Sequence, residues 1–198
     1  MRVVAFLQPG MADWEAGFVL AYVREYLGAE VLTATPDGKA VTSIGGLRVS
    51  ADTAFNTVDL AHAQALVLIG GGPWLEVRDE PFFAFLRAAH RCDLVIGGIC
   101  AGTVPLARAG LLHGRAHTSN GRGWLWDNAP DYQGADLYRD VPCAVRDGRI
   151  VTAAGPAPVT FAAEIARLLA PDRAGEADAF TALCAREFTA STVTPGHA

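Results

Sequence analysis

The stretch Leu94-Val95-Ile96-Gly97-Gly98-Ile99-Cys100-Ala101-Gly102 decides the fold, together with the helical composition of Thr103–Ala109 and the Gly110 that follows. Three apolar residues run into paired glycines, then a cysteine framed as Gly98-x-Cys100-x-Gly102. The next residues favour a helix, and Gly110 suits the left-handed position just past its end. In order this is strand, sharp turn, helix: the thiol counterpart of the G-x-S-x-G nucleophile elbow. Flanking glycines allow a turn tight enough to project the central side chain at strained backbone angles. A helix N-terminus beginning there favours thiolate. Cys100 is therefore the candidate nucleophile. The alternative is an ordinary glycine-rich turn carrying an incidental cysteine.

Working outward, the same strand–helix alternation recurs. Val3–Leu7 is apolar and ends at Pro9-Gly10, with Asp13 placed as an N-cap. Val19, Tyr22, Val23, Tyr26 and Leu27 then follow helical spacing, and Glu30–Ala34 makes a second strand. Residues 39–50 alternate around Gly45-Gly46 and predict a hairpin or loop excursion. Ala65–Ile69 is continuously apolar, as suits a strand covered on both faces. Asp79-Glu80-Pro81 opens a helix bearing Phe82, Phe85, Leu86 and Ala89, with Pro81 in its first turn. Downstream, Cys143–Ala153 predicts a hairpin turning at Asp147-Gly148. Pro158 starts a helix with Phe161, Ala162, Ile165, Leu168 and Leu169 on one face. Ala174–Phe188 is one further helix, and Thr189–Ala198 a polar tail. The order implies an α/β domain, an open parallel sheet with helices on both sides.

Composition agrees and excludes other classes. Of 198 residues, 51% are apolar and 19% charged, enough for a core and too little charge for disorder. Sixteen Lys+Arg against 21 Asp+Glu leave a net charge of −5 without a basic run, so neither nucleic acid nor an anionic membrane is expected as partner. No apolar run approaches the roughly 20 residues of a membrane span, and the N-terminus lacks signal-peptide features. A cytoplasmic location is expected. The four cysteines, Cys92, Cys100, Cys143 and Cys184, form no disulfide framework and have no metal-ligand spacing, so neither a metal nor a cofactor is expected.

Two further features fall where strands end, the place where open α/β sheets bind ligands. Glu15 lies in a first helical turn, within roughly 40° of the Val19, Tyr22 and Tyr26 stripe on the helical wheel. A carboxylate there is costly unless used. It is either a favourable acid at a helix N-terminus or a partner that donates to, or accepts from, the Cys100 sulfur. Gly70-Gly71-Gly72-Pro73-Trp74 is either a tight loop or a strip of backbone N–H groups that joins the Ala101 N–H in an oxyanion hole. It matches no nucleotide-binding fingerprint.

From Arg2 to about Ala170 these stretches resemble the ThiJ/PfpI superfamily, on the class I glutamine amidotransferase-like fold. The resemblance is carried by Gln8-Pro9-Gly10-Met11-Ala12-Asp13-Trp14-Glu15, Leu68–Trp74, Ile99–Gly102, Ala109–Asn120 and Val151-Thr152-Ala153. It looks most like bacterial members described as proteases or glutamine amidotransferase-like proteins. It implies a flavodoxin-like three-layer sandwich with a mostly parallel central sheet, forming a single domain over residues 1–198. The core would end near residue 170, with 171–198 as C-terminal extension and tail. It implies Cys100 as reactive thiol, Glu15 as its carboxyl partner, and Gly71, Gly72 and Ala101 as backbone donors. Relatives are commonly dimers, so a homodimer is expected, and Trp124-Leu125-Trp126 suits an interface, a lid or core packing. Asn120, Trp14 and Trp74 are candidate substrate contacts.

Departures from the family pattern bear on the chemistry. Ala101 stands where peptidase-like relatives have a histidine, and Asn120 where others have one. Ala153-Ala154-Gly155-Pro156-Ala157 replaces the late-strand His and Glu of true amidotransferases. His117, three residues from Asn120, would face away from it on an alternating strand and is expected to be structural or exposed. A cysteine nucleophile helped by one carboxyl group suits a hydrolase, amidase or glyoxalase-like activity on a small carbonyl compound better than peptide hydrolysis. The alternatives are a redox-sensing or stress-protective protein in which Cys100 is oxidised, and a glutamine amidotransferase-like protein without a complete triad.

Overall fold

The computed structural model describes residues 1–189, and the tail expected from 190 onward lies outside them. Nine strands are present: β1 (Arg2–Phe6), β2 (Glu30–Thr35), β3 (Val41–Thr42), β4 (Arg48–Val49), β5 (Thr53–Ala54), β6 (Ala65–Leu68), β7 (Val95–Ile99), β8 (Val145–Asp147) and β9 (Ile150–Ala153). The helices are α1 (Asp13–Glu25), α2 (Glu80–Arg91), α3 (Thr103–Arg108), α4 (Arg122–Asn128), α5 (Pro158–Leu169) and α6 (Ala174–Thr189). Seven strands form one sheet in the order β5-β2-β1-β6-β7-β9-β8, parallel except for β8 against β9, while β3 and β4 make a separate hairpin.

Period-two alternation builds the layers. Val3 and Ala5 of β1, and Leu7 just past it, enter the core beneath α1 and α5, while Val4 and Phe6 enter the core beneath α2 and α3. β6 repeats the pattern, with Val67 on one side and Leu66 and Leu68 on the other. Strands buried on both faces read as unbroken apolar runs for this reason. The fold is the expected flavodoxin-like sandwich.

Strand order reverses beside β1. β2 and β5 extend the sheet on one side of it, and β6 lies on the other. α1, which follows β1, and α2, which follows β6, pack on opposite faces. That reversal opens a crevice at the carboxyl ends of β1 and β6, where parallel sheets bind ligands. Glu15 enters from the β1 side and Gly70 from the β6 side. One local expectation is corrected: Ala12, not Asp13, is the N-cap, and it makes no side-chain cap bond. The Asp13 carboxylate instead accepts the Gly45 N–H at 2.7 Å, fastening the β3–β4 hairpin to α1.

Candidate active site

β7 ends at Ile99 in extended geometry, and the next residue, Cys100, has φ +55°. Only Asp93 shares a positive φ among the described non-glycine residues. Such a conformation costs about 1–3 kcal/mol and persists where its surroundings enforce it. The flanking glycines permit the tight turn through space rather than through unusual dihedrals. Neither has a positive φ; what they supply is space. A Cβ on Gly102 would lie 2.2 Å from the Leu68 carbonyl oxygen, and one on Gly98 would lie 2.7 Å from the Gly102 carbonyl oxygen. The elbow closes against β6 because both side chains are hydrogen. Strain sits on the cysteine itself. Thr103 holds the turn, its hydroxyl donating to the Cys100 carbonyl at 2.7 Å.

Glu15 is fully buried in the first turn of α1. Its Oε2 accepts the Gly70 N–H at 2.7 Å, while Oε1 has no partner. A Cβ on Gly70 would come within 2.4 Å of Glu15 Oε2 and 2.8 Å of the Cys100 Cβ, so this glycine keeps acid and thiol adjacent. Burial pushes the Glu15 carboxyl up to about 7, against the opposing pull of the Gly70 N–H and Cys100. Burial also pushes the Cys100 thiol up, and charge on Glu15 adds to this; Asn120 and the Ala101 N–H pull it down. The net direction is upward, contrary to the thiolate expected from the helix terminus. α3 begins only after a 3-10 turn over Cys100–Gly102, and desolvation dominates. With both pKa values raised, Cys100 rests as a thiol near neutrality, and Glu15, at about 7, is the group poised to take or give a proton there.

Asn120 completes the surroundings. Its Nδ2 donates to the Cys100 sulfur at 3.1 Å and its Oδ1 accepts the Gly155 N–H at 3.0 Å. Gly155 was not among the candidates, yet a Cβ there would lie 3.3 Å from the sulfur and 3.1 Å from Glu15 Oε1. Its carbonyl accepts the Trp14 indole N–H at 3.1 Å, so Trp14, 49% exposed, sits at the rim of the site. Gly70 was equally missed, because a run of three glycines does not reveal which one abuts the thiol.

The remaining candidates divide. Gly71 packs on the Gln8 Cβ, and Gly72 faces open space at the start of a 3-10 turn. The Ala101 N–H favours the thiolate form of Cys100 and so pulls its pKa down. Trp74 is no substrate contact: it is fully buried, donates to the Ile69 carbonyl at 2.7 Å and stacks on Phe55 and Phe82. An apolar indole beside three glycines drops into the core beneath α2. His117 is buried too. Its Nδ1 donates to the Arg115 carbonyl at 2.8 Å, which leaves Nε2 to accept from the Tyr132 hydroxyl at 3.0 Å. Burial lowers its pKa and keeps it neutral and structural. Of the Trp124–Trp126 run, Leu125 is buried while Trp126 is 49% exposed.

Comparison with known proteins bears on this arrangement. The profile of the DJ-1/PfpI family matches residues 1–168. The chain is 31% identical to the uncharacterized protease YoaZ of Bacillus subtilis (strain 168), covering 86% of each. It is 32% identical to the deglycase TK1284 of Thermococcus kodakarensis, over 60% of this chain and 72% of that one. Among solved structures, the DJ-1 superfamily protein Atu0886 from Agrobacterium tumefaciens superposes with a TM-score of 0.83 at 39% identity, over 93% of this chain and 99% of that one. No helix among the described residues is long and apolar enough to cross a membrane.

Proposed function

The chain belongs to the DJ-1/PfpI family, and from that membership and the surroundings of Cys100 we propose a cysteine-dependent enzyme acting on a small carbonyl compound. The observation that carries the reading is a cysteine at φ +55° beside a fully buried carboxyl group. A backbone strained at one reactive side chain, next to an acid whose pKa is raised to about 7, is how folds build acid–base nucleophiles.

In the proposed reaction the Cys100 proton passes to ionised Glu15 as the sulfur attacks the carbonyl carbon. The C–S bond forms, and the π electrons move onto oxygen. Backbone N–H groups of Gly71, Gly72 and Ala101 stabilise that oxygen. Glu15 then returns its proton to the oxygen or to a leaving group, and water releases the product where the reaction is a hydrolysis. Asn120 orients the sulfur, and Trp14 borders the entrance. A relative named a deglycase supports carbonyl chemistry. Peptide hydrolysis fits less well: the amine leaving group needs its own acid, and His117 is committed to Arg115 and Tyr132.

The test is methylglyoxal and chromogenic-amide turnover by the wild type and by Cys100→Ser. We expect wild-type turnover of at least one substrate and a loss of roughly 100-fold or more in the serine variant. Equal inertness of both proteins would overturn the enzymatic reading in favour of the redox-sensing one. The homodimer belongs to the same proposal, supported by the exposed Trp14 on α1 and Tyr26 at its C-cap; sedimentation at the mass of a single chain would remove it.

A further inference from the structure

A cleft of about 460 Å³ opens at the carboxyl ends of β1, β2 and β5, and Cys100 is not among its walls. Phe55, Phe82 and Phe85 line it. Their rings lie nearly parallel in sequence, at 22° between Phe55 and Phe82 and 14° between Phe82 and Phe85. Trp74 backs this wall from the core, 6° from the plane of Phe55. The wall is therefore a continuous aromatic stack. Gln8, which continues β1 past its last paired residue, also lines the cleft and is only 3% exposed. No hydrogen bond within the described residues satisfies its amide. The residue is almost wholly enclosed, so its amide, which makes no hydrogen bond to the protein, meets solvent only through this cavity, which is large enough for a small molecule.

The polar chemistry narrows the occupant. A carboxamide offers one acceptor and two donors, so its complement carries both an acceptor and a donor on one edge. Asn56 repeats that chemistry at the mouth. The walls contain no Lys, Arg or His, and Asp79 is their one charged residue, which disfavours phosphates and carboxylates. We propose that this cleft binds neutral aromatic amides, with the ring against Phe55, Phe82 and Phe85 and the amide edge paired to Gln8. The site is separate from the thiol: the Gln8 Cβ lies 3.1 Å from where a Gly71 Cβ would be, so the glycine strip stands between them. Binding here does not depend on the chemistry assigned to Cys100.

Saturation-transfer NMR on the full chain, with Cys100 blocked by iodoacetamide, tests this with benzamide, benzoate and toluene as probes. Benzamide should bind to the blocked protein, with benzoate at least about tenfold weaker. Gln8→Leu should weaken benzamide by about tenfold or more and leave toluene unchanged, because a site built to hydrogen-bond a group discriminates strongly on that group. Toluene also reports that the aromatic wall survives the substitution. A second variant, Asn56→Trp, fills the mouth and should displace both benzamide and toluene. Benzamide binding that is matched by benzoate, lost on blocking Cys100, unchanged in Gln8→Leu or unchanged in Asn56→Trp overturns the proposal.

Discussion

Glu15 concentrates the energetics of the site in one side chain. A fully buried carboxyl whose folded pKa is about 7, against an ordinary 4.5, binds its proton more tightly folded than unfolded. Its stabilising contribution is thus complete below 4.5 and is lost as pH rises through about 7. The shift corresponds to about 3 kcal/mol. Glutamine keeps an oxygen for the Gly70 N–H but carries no charge. In a Cys100→Ser background, which removes the coupled thiol, Glu15→Gln should be more stable than its parent by about 3 kcal/mol above that window and equal to it below. Urea titrations across the range check this, and parallel pH profiles would show that Glu15 does not titrate on folding. The charge was legible as anomalous from helical spacing alone, since Glu15 shares a face with Val19 and Tyr22. Its Oε1, left without a partner beside the sulfur, was not, because no spacing reports what a loop 55 residues away in sequence brings to it.

At the scale of elements, the elbow is a packing device before it is a chemical one. Gly102 permits close approach to the carbonyl of Leu68 on β6, and that approach sets where Cys100 points. The listening neighbour is backbone, unable to swing aside as a side chain would. Gly102→Ala should therefore cost about 3 kcal/mol, the upper end for overpacking. Gly72→Ala, which meets nothing within 4 Å, should stay within about 0.5 kcal/mol of the wild type. Denaturation midpoints separate the two, and a near-neutral Gly102→Ala would show that the elbow tolerates displacement. The strand–turn–helix order around Cys100 was readable because each part has its own local signal: apolar run, glycines, helix formers. Which property of those glycines makes the turn was not readable, since sequence cannot distinguish a glycine chosen for φ from one chosen for space. Trp74 failed for a related reason. Its side chain follows from the aromatic stack with Phe55 and Phe82, contributed by distant segments.

Across the whole molecule, the boundary between core and extension follows from what α6 touches. The family match ends at residue 168, just inside α5, and α6 lies beyond it. α6 nonetheless packs on the sandwich: Phe180 meets Tyr22 of α1 at 4.8 Å between ring centroids and Phe18 at 6.2 Å. Ala177 is its one buried residue. Its ion pairs, Arg167–Asp178 and Arg173–Glu176, involve exposed carboxylates, where water screens the attraction and little stability is gained. α6 therefore lies along α5 and reaches the outer surface of α1 through the Phe180 aromatic contact, while Glu15 is buried at the first turn of that helix. Glu15 is also held by the N–H of Gly70, in the loop after β6. A chain ending at Ala170 should still unfold cooperatively, at a lower midpoint, with about 2 kcal/mol lost from uncovering Phe180 and its neighbours. Its Cys100 should react with iodoacetamide at the wild-type rate. A truncated chain that fails to fold would place α6 inside the core domain. One that folds with an altered thiol rate would show that the outer face of α1 controls the position of Glu15.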